Sequence, residues 1–218
     1  MVRFLTILAV AVTSVTVQAV RTTNWPPLIA RSRASLDGKI PSAISVDVFA
    51  APDVTEALVI RVFDEAKAIW GPTGIALDWH RITSKDMAVP WHVTVTIDDD
   101  EKDVARRPGA LGWIPFTTYG PAPSIRLSRA NAEALIRRTP GVTDRTIVGK
   151  ETLIGRALGR ALSHELGHYL LKSTAHTPHG LMRANWPSEE LLSTDRRGFE
   201  LTAEQRATLL TGLDGVGV

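Results

Sequence analysis

Residues 164–168 read His-Glu-x-x-His, a spacing that can hold a metal ion. On an α-helix, residues four apart share a face, so His164 and His168 can offer ring nitrogens to the same ion. Glu165 lies one step around the helix, where its carboxylate can accept a proton from a water molecule beside the ion. Zinc-dependent hydrolysis needs this combination of two imidazoles, an adjacent base and an open coordination position. The alternative is a helix with two incidental histidines.

The residues around this motif predict a long, buried helix. Apolar residues recur at three- and four-residue steps through residues 153–170, which is the period of one helix face. We expect the helix to end near Lys172. Buried histidines and a buried glutamate need partners, and a metal ion supplies one. Gly155, Gly159 and Gly167 weaken a helix intrinsically. Either another part of the chain approaches closely at these glycines, or the helix simply tolerates them.

The motif and the segment after it resemble the metzincin clan of zinc metallopeptidases. That clan reads H-E-x-x-H-x-x-G-x-x-H and continues to a tight turn that carries a methionine beneath the metal. His164 and His168 match its first two ligands, Glu165 matches its general base, and Met182 in the sequence Gly-Leu-Met matches its turn methionine. The resemblance covers residues 43–182 and rests on the motif and the order of elements.

The third metal ligand is where the sequence departs from the clan. The clan's third histidine would fall on Thr174, and the nearest histidine, His176, lies two residues later. A slightly longer loop after the helix would bring His176 to the ion. His179 is the competing third ligand. A carboxylate downstream, Glu189 or Glu190, is a further alternative and would suit a gluzincin-type site.

The order of the other elements also resembles the metzincin N-terminal subdomain. We therefore expect an α+β fold: a twisted mixed β-sheet with an edge strand over the cleft, an active-site helix that carries the motif, and a small C-terminal helical subdomain. A capping box at residues 202–205 opens the last helix, with Ala207, Leu209 and Leu210 as its packing residues. The elements before the motif are strand 43–49, helix 53–70, and strands 75–82, 91–97, 111–116 and 124–127.

The predicted strand 111–116 contains Pro115, which cannot donate a hydrogen bond inside a sheet, so the strand belongs at an edge. An edge strand can pair with an extended peptide. Gly112, Trp113 and Ile114 are therefore candidate contacts to a substrate backbone, by geometry and by resemblance. The alternative is a plain edge strand with Trp113 in the core.

The remaining sequence bounds the domain. Residues 1–19 have the pattern of a cleaved signal peptide, residues 20–42 form a loose arm or a short pro-segment, and residues 43–218 form a single catalytic domain. An uncleaved anchor is the alternative for the signal, and no other segment is apolar enough to span a bilayer. The mature chain is expected to be secreted or periplasmic. The chain has no cysteine and a formal net charge of +2, so we expect neither disulfides nor a nucleic-acid partner.

The function expected from these features is that of a secreted zinc-dependent endopeptidase. It would act as a monomer on a peptide or protein substrate, with Zn2+ as cofactor. The alternatives are a zinc hydrolase of a non-peptide amide and a zinc-binding protein without peptidase activity. His80 and His92 lie in predicted strands and are expected to be structural. The acidic residues 98–101 are expected to form a solvated turn, with a calcium site as the alternative.

Overall fold

The structure is a computed structural model that describes residues 42–89, 92–99, 101–142 and 146–214. The predicted signal peptide (1–19) lies outside these residues, and so does the predicted arm except for Ser42. The described helices are α1 (Glu56–Trp70), α2 (Glu101–Arg106), α3 (Arg129–Arg138), α4 (Ile147–Leu171), α5 (Ser188–Leu192) and α6 (Ala203–Asp214). The described strands are β1 (Ser42–Ala50), β2 (Ile75–Ile82), β3 (Val93–Asp98), β4 (Gly112–Trp113), β5 (Phe116–Thr117), β6 (Gly120–Pro121) and β7 (Ser124–Ser128).

Five of these strands form one mixed sheet in the order β2-β1-β3-β7-β4. The strands β2, β1, β3 and β7 are parallel to their neighbours, and β4 pairs antiparallel with β7 at one edge. The mixed sheet agrees with the sequence prediction, although parallel pairs dominate it. The parallel pairing of β1 with β2 follows from the helix between them, because a crossover helix returns the chain in the same direction.

Helix α1 begins at a polar cap and ends at a glycine. Thr55 Oγ1 accepts a hydrogen bond from the Leu58 amide at 3.1 Å, which satisfies one of the free amides of the first turn. Gly71 closes the helix, as the sequence predicts. The helix begins at Glu56, so the predicted start at Asp53 is wrong by three residues. The carboxylate of Asp53 pairs instead with Arg129, at the start of α3.

Helices α2 and α3 are absent from the sequence prediction. Both begin next to the acidic residues 98–101, where carboxylates face arginines. Asp98 pairs with Arg126 at 3.3 Å, and Asp99 accepts a hydrogen bond from Arg129 Nε at 2.9 Å. Asp99 also accepts from the Ala130 amide at 2.6 Å, in the first turn of α3. These carboxylates therefore form ion pairs with arginines, and Asp99 also caps the first turn of α3.

The predicted strand 111–116 is wrong in length, because only Gly112 and Trp113 pair with β7. The chain leaves the sheet at Pro115, which has no amide to donate. It then forms the hairpin of β5 and β6, which is a separate two-stranded sheet. The Ala122 amide donates to the Pro115 carbonyl at 2.8 Å and closes the base of this hairpin.

The two long helices, α1 and α4, lie side by side and very close together. A Cβ atom added at Gly155 would lie 2.5 Å from Cβ of Arg61, and one at Gly159 would lie 2.6 Å from the Val62 carbonyl oxygen. Any larger residue at these two positions would force the helices apart. The close approach that the sequence left open at these glycines is thus observed, and it places α4 directly against α1.

The C-terminal residues return to α4. Both α5 and α6 contact α4. The predicted capping box of α6 is confirmed: the Thr202 amide donates to Gln205 Oε1 at 3.0 Å, and the Gln205 amide donates to Thr202 Oγ1 at 3.2 Å. Leu209 is buried, but Ala207 and Leu210 are exposed, so the predicted packing face is wrong for these two. Residues two apart point to different sides of a helix, so Ala207 cannot share the face of Leu209.

The described helices include none that is long and apolar enough to cross a bilayer.

Candidate metal centre

Helix α4 brings His164 and His168 together, one turn apart on a buried face. Both side chains are at most 2% exposed, and their ring planes meet at 85° with centroids 4.6 Å apart. His164 Nδ1 lies 2.9 Å from the Leu181 carbonyl oxygen, and His168 Nδ1 lies 2.7 Å from the Ser173 carbonyl oxygen. The two Nε2 atoms then face each other at 3.0 Å.

His176 reaches the same place from the loop after α4. Lys172 ends the helix in the left-handed conformation with φ of 50°, and the Ser173 amide donates back to the His168 carbonyl at 3.3 Å. The chain thus reverses within a few residues. The ring of His176 stacks on that of His164 with centroids 5.3 Å apart. Its Nε2 is buried and makes no hydrogen bond to the described residues.

One ring nitrogen from each of the three histidines lies within 4.8 Å of the other two. Burial lowers the pKa of His164 to about 3 and that of His168 to about 4, and the neighbouring imidazoles act in the same direction. The carbonyl oxygens beside their Nδ1 atoms offset part of this effect. Burial also lowers the pKa of His176. The three rings are therefore neutral at neutral pH.

The hydrogen bonds of the two helical histidines fix their tautomers. A carbonyl oxygen only accepts, so each Nδ1 must carry the ring proton and each Nε2 must carry a lone pair. Two lone pairs 3.0 Å apart repel each other unless a cation lies between them. Their separation is close to the roughly 3.3 Å between two nitrogens on one tetrahedral zinc. Three neutral imidazoles are also donors that suit zinc, copper or nickel better than magnesium or calcium. The residues present therefore fit a bound zinc ion.

Glu165 is fully buried beside this cluster. Neither carboxylate oxygen makes a hydrogen bond of good geometry to the described residues. Burial raises the pKa of Glu165 to about 8, and the nearby amide of Ile114 lowers it only in part. A buried carboxylate without a partner is costly, so its position next to three metal-type ligands points to a cation as the missing partner.

Met182 packs directly against helix α4 at Gly167. The residue is 1% exposed, and a Cβ atom added at Gly167 would lie only 2.2 Å from its Sδ. Gly167, between the two helical histidines, therefore leaves room for the methionine. The Met182 carbonyl accepts a hydrogen bond from the Thr177 amide at 2.9 Å, which ties this turn to the loop that carries His176.

The turn before Met182 also orients the first histidine. Gly180 has a φ of +80°, and a Cβ atom there would lie 2.7 Å from the Glu200 carbonyl oxygen, so both its conformation and its surroundings favour glycine. The Leu181 amide donates to that same carbonyl at 2.7 Å. The Leu181 carbonyl then points to Nδ1 of His164. The turn thus holds the ring of a candidate ligand in place.

The other candidate ligands lie elsewhere. His179 is exposed, and its carbonyl oxygen accepts from the Thr177 hydroxyl at 2.7 Å. Glu189 is exposed, and the carboxylate of Glu190 pairs with Arg183 at 2.7 Å. Among the described residues, the group with metal-ligand spacing contains neither His179 nor these carboxylates.

His80 and His92 do not belong to the group of three histidines among the described residues. His92 Nδ1 lies 2.9 Å from the buried carboxylate of Asp47, and the two histidine rings stack with centroids 6.4 Å apart. These contacts agree with a structural role for both histidines.

The three candidate substrate contacts line the sheet edge next to α4. Gly112 packs close to the helix, since a Cβ atom there would lie 3.4 Å from Cβ of Ala161. Trp113 is 7% exposed, and the guanidinium of Arg107 lies 5.0 Å from its ring centre. Its side chain therefore belongs to the core, while the backbone of β4 remains at the edge of the sheet. The amide of Ile114 approaches Glu165.

Arg160 is a buried residue near the site that the sequence analysis missed. It lies one turn before His164 and is 1% exposed. Its Nε donates to Glu65 on α1 at 2.9 Å, and it donates to the carbonyls of Ser193 and Asp195 at 2.8 Å each. Burial lowers the pKa of Arg160, against the pull of Glu65. An arginine inside an apolar helical stripe was the signal in the sequence, although its partner on α1 is distant in the chain.

No protein-family model matches the sequence, and no curated protein is similar to it in sequence. Among solved structures, the fold is similar to metalloproteinase-II from Bacteroides fragilis, with 10% identity and a TM-score of 0.45 over 82% of this chain and 55% of that one. It is also similar to archaemetzincin from Methanopyrus kandleri, with 15% identity and a TM-score of 0.47 over 79% of this chain and 96% of that one. The chain spans about half the length of the Bacteroides protein. The assignment of the site depends on its own geometry.

Proposed function

We propose that the protein is a zinc-dependent peptidase whose ion is held by His164, His168 and His176. The observation that carries the proposal is the pair of Nε2 atoms 3.0 Å apart, both of which present lone pairs because their Nδ1 atoms donate to carbonyl oxygens. A third imidazole with a buried, unpartnered Nε2 lies beside them. When bound, zinc supplies Lewis-acid chemistry: it makes a water molecule acidic near neutral pH and polarises a peptide carbonyl.

Glu165 is the general base in this proposal. Its carboxylate is next to the cluster and is not engaged by the described side chains, so it is free to accept a proton from the attacking water. The same oxygen then passes the proton to the nitrogen of the leaving amine. A nearby cation favours the charged carboxylate, so the pKa of Glu165, raised to about 8 by burial, would be lower with an ion bound, toward the range of a base at neutral pH.

Strand β4 supplies the surface for the substrate. It lies at the edge of the sheet, and the amide of the next residue, Ile114, approaches Glu165. An extended peptide that pairs with this edge as an added strand would pass close to the histidines. This geometry favours a peptide substrate, with Gly112, Trp113 and Ile114 contributing backbone contacts.

Metal analysis tests the first part of the proposal. Protein purified without chelator is expected to contain one zinc per chain, and removal of the zinc by chelator should abolish cleavage of a generic peptide library. Cleavage should return when zinc is added back. Protein that is folded, free of metal and still active would overturn the proposal.

The variant Glu165→Gln tests the second part. The amide keeps the shape of the side chain but loses its basicity, so zinc should be retained while kcat falls by about 10²–10⁴-fold. Glu133→Gln, a half-buried glutamate on α3, is the matched control and should change neither quantity. Similar kcat values for wild type and Glu165→Gln would show that another group takes the proton.

We also propose that residues 1–19 direct export and are then removed. N-terminal sequencing of the exported protein should give a start near residue 20, and an exported chain that still begins at Met1 would contradict this.

A further inference from the structure

The hairpin of β5 and β6 lies where the edge strand meets the metal centre. It begins three residues after the last paired residue of β4 and is not part of the main sheet. Thr117 Oγ1 donates to the Gly120 carbonyl at 3.0 Å and accepts from the Tyr119 amide at 3.1 Å, so the turn has a defined conformation. Gly120 completes it with a φ of +116°. The hairpin is thus an ordered projection beside the site.

The first residue of the hairpin touches a candidate metal ligand. The ring of Phe116 packs edge to face against His168, with centroids 6.2 Å apart and planes at 85°. Phe116 is only half-buried, so part of its surface stays open next to the histidines. Phe116 thus covers one side of His168 with an apolar ring, three residues after the end of β4.

The tip of the same hairpin carries Tyr119, which is 98% exposed. Single exposed apolar residues are common on protein surfaces. Tyr119 differs from the other exposed large apolar residues of the described chain because it is aromatic and lies three residues from Phe116, on an element fixed beside the metal centre. The hairpin thus carries two aromatic side chains, one half-buried against His168 and one exposed at its tip.

We propose that Phe116 and Tyr119 form an aromatic subsite that holds a large apolar or aromatic side chain of the substrate. This inference rests on the proposed peptidase function and names its substrate class: peptides with such a residue close to the cleaved bond. An extended peptide rises about 3.3 Å per residue. The 6.2 Å between the ring centres of Phe116 and His168 spans about two residues at this rise, so we expect the held side chain within about three residues of the scissile bond.

The test compares two fluorogenic peptides that differ only in one residue, phenylalanine or alanine, at the position that a peptide library shows to be selected. For wild type, kcat/KM should favour the phenylalanine peptide. Tyr119→Ser should reduce this preference by about 3- to 10-fold, which corresponds to the loss of one aromatic pair with its buried area. Tyr119→Phe should retain it. Ile147→Ser is the matched control, because Ile147 is also exposed, at 83%, but lies at the far end of α4.

A binding measurement provides a second readout that does not depend on turnover. The phenylalanine peptide, labelled for fluorescence anisotropy, is titrated with Glu165→Gln protein with and without Tyr119→Ser. The second substitution should raise Kd by a similar 3- to 10-fold and leave the zinc content unchanged.

Each outcome decides between the two proposals. Suppose that wild type cleaves peptides, but Tyr119→Ser changes the kcat/KM ratio of the two peptides no more than Ile147→Ser does and leaves Kd unchanged. The subsite is then wrong and the peptidase function stands. Selection for small or charged residues at every position near the bond would also overturn the subsite alone. If zinc-loaded wild type cleaves no peptide in the library, both proposals fail.

Discussion

Met182 packs beneath Gly167. We therefore predict that Gly167→Ala has opposite effects on stability in wild type and in Met182→Ala. In Gly167→Ala, the new Cβ would lie 2.2 Å from Met182 Sδ, far below any normal contact. Met182 is 1% exposed, so it has little room to move aside. Overpacking of this kind costs about 1–3 kcal/mol, whereas the change from glycine to alanine inside a helix gains up to about 1 kcal/mol. Because a contact of 2.2 Å is so short, we take the upper half of the overpacking range and expect a net loss of about 1–2 kcal/mol in the free energy of unfolding.

The same substitution should be stabilising once Met182 is shortened. Met182→Ala alone leaves a cavity and should cost about 2–5 kcal/mol. In this background the methyl group of Gly167→Ala meets no sulfur, so the helix-forming advantage of alanine remains. The double variant should therefore be more stable than Met182→Ala by about 1 kcal/mol. The coupling energy between the two sites is then about 2–3 kcal/mol, within the range seen for residues in contact.

Denaturant unfolding of the four metal-free proteins measures these differences without any contribution from a bound ion. Gly71→Ala is the control, since a Cβ atom there meets no atom within 4 Å. If Gly167→Ala stabilised the protein in both backgrounds, Met182 would not pack against the helix and the turn would not support His164.

Two further predictions concern the metal centre. His176→Ala should lose zinc on dialysis and His179→Ala should retain it; the reverse would make His179 the third ligand, and retention in both would point to a downstream carboxylate. Metal-free protein should be most stable near pH 6.5 in denaturant titrations. Below that pH the unfolded chain binds more protons than the folded one, because the folded pKa values of His164 and His168 are about 3 and 4. Each of these two histidines therefore lowers the free energy of unfolding by about 2 kcal/mol by pH 5. The raised pKa of Glu165, about 8, offsets about half of this loss and makes stability fall again between pH 6.5 and 8. A steady rise in stability from pH 5 to 8 would contradict these assignments.

Local periodicity explains which parts of the fold the sequence predicted well. The strands 43–49, 75–82 and 124–127 and the end of α4 match the structure within one or two residues. Each is set by the alternation or the helical period of its own residues. The position of His176 beside the helical histidines also follows from short-range geometry: a helix that ends at Leu171 and a left-handed Lys172 leave just enough chain to turn back.

Long-range pairing explains what the sequence did not predict. The start of α3 is stabilised by Asp99, whose carboxylate holds Arg129 and the Ala130 amide from 30 residues away. The partner of Arg160 lies 95 residues earlier, on α1. No pattern within a single helix reports such a partner. The predicted strand 111–116 is too long for a similar reason, because its length depends on pairing with β7, which comes later in the chain.

Helix α4 buries five polar side chains within nine residues. Ser163 donates to the Gly159 carbonyl of the helix itself, and the other four are stabilised in two different ways. Arg160 finds its partners inside the protein: the carboxylate of Glu65, several carbonyl oxygens and the face of Phe199, 4.1 Å away. One turn later, His164, Glu165 and His168 have no comparable set among the described residues. The Nδ1 atoms of the two histidines are satisfied, yet their Nε2 lone pairs face each other. Neither oxygen of Glu165 makes a hydrogen bond of good geometry to the described residues. Each buried polar group left in this state costs about 1–3 kcal/mol of stability. A cation removes the repulsion between the lone pairs and the cost of the carboxylate at once, and no apolar or neutral ligand does both. The contrast between these two adjacent turns is the physical reason to place a metal ion at the second.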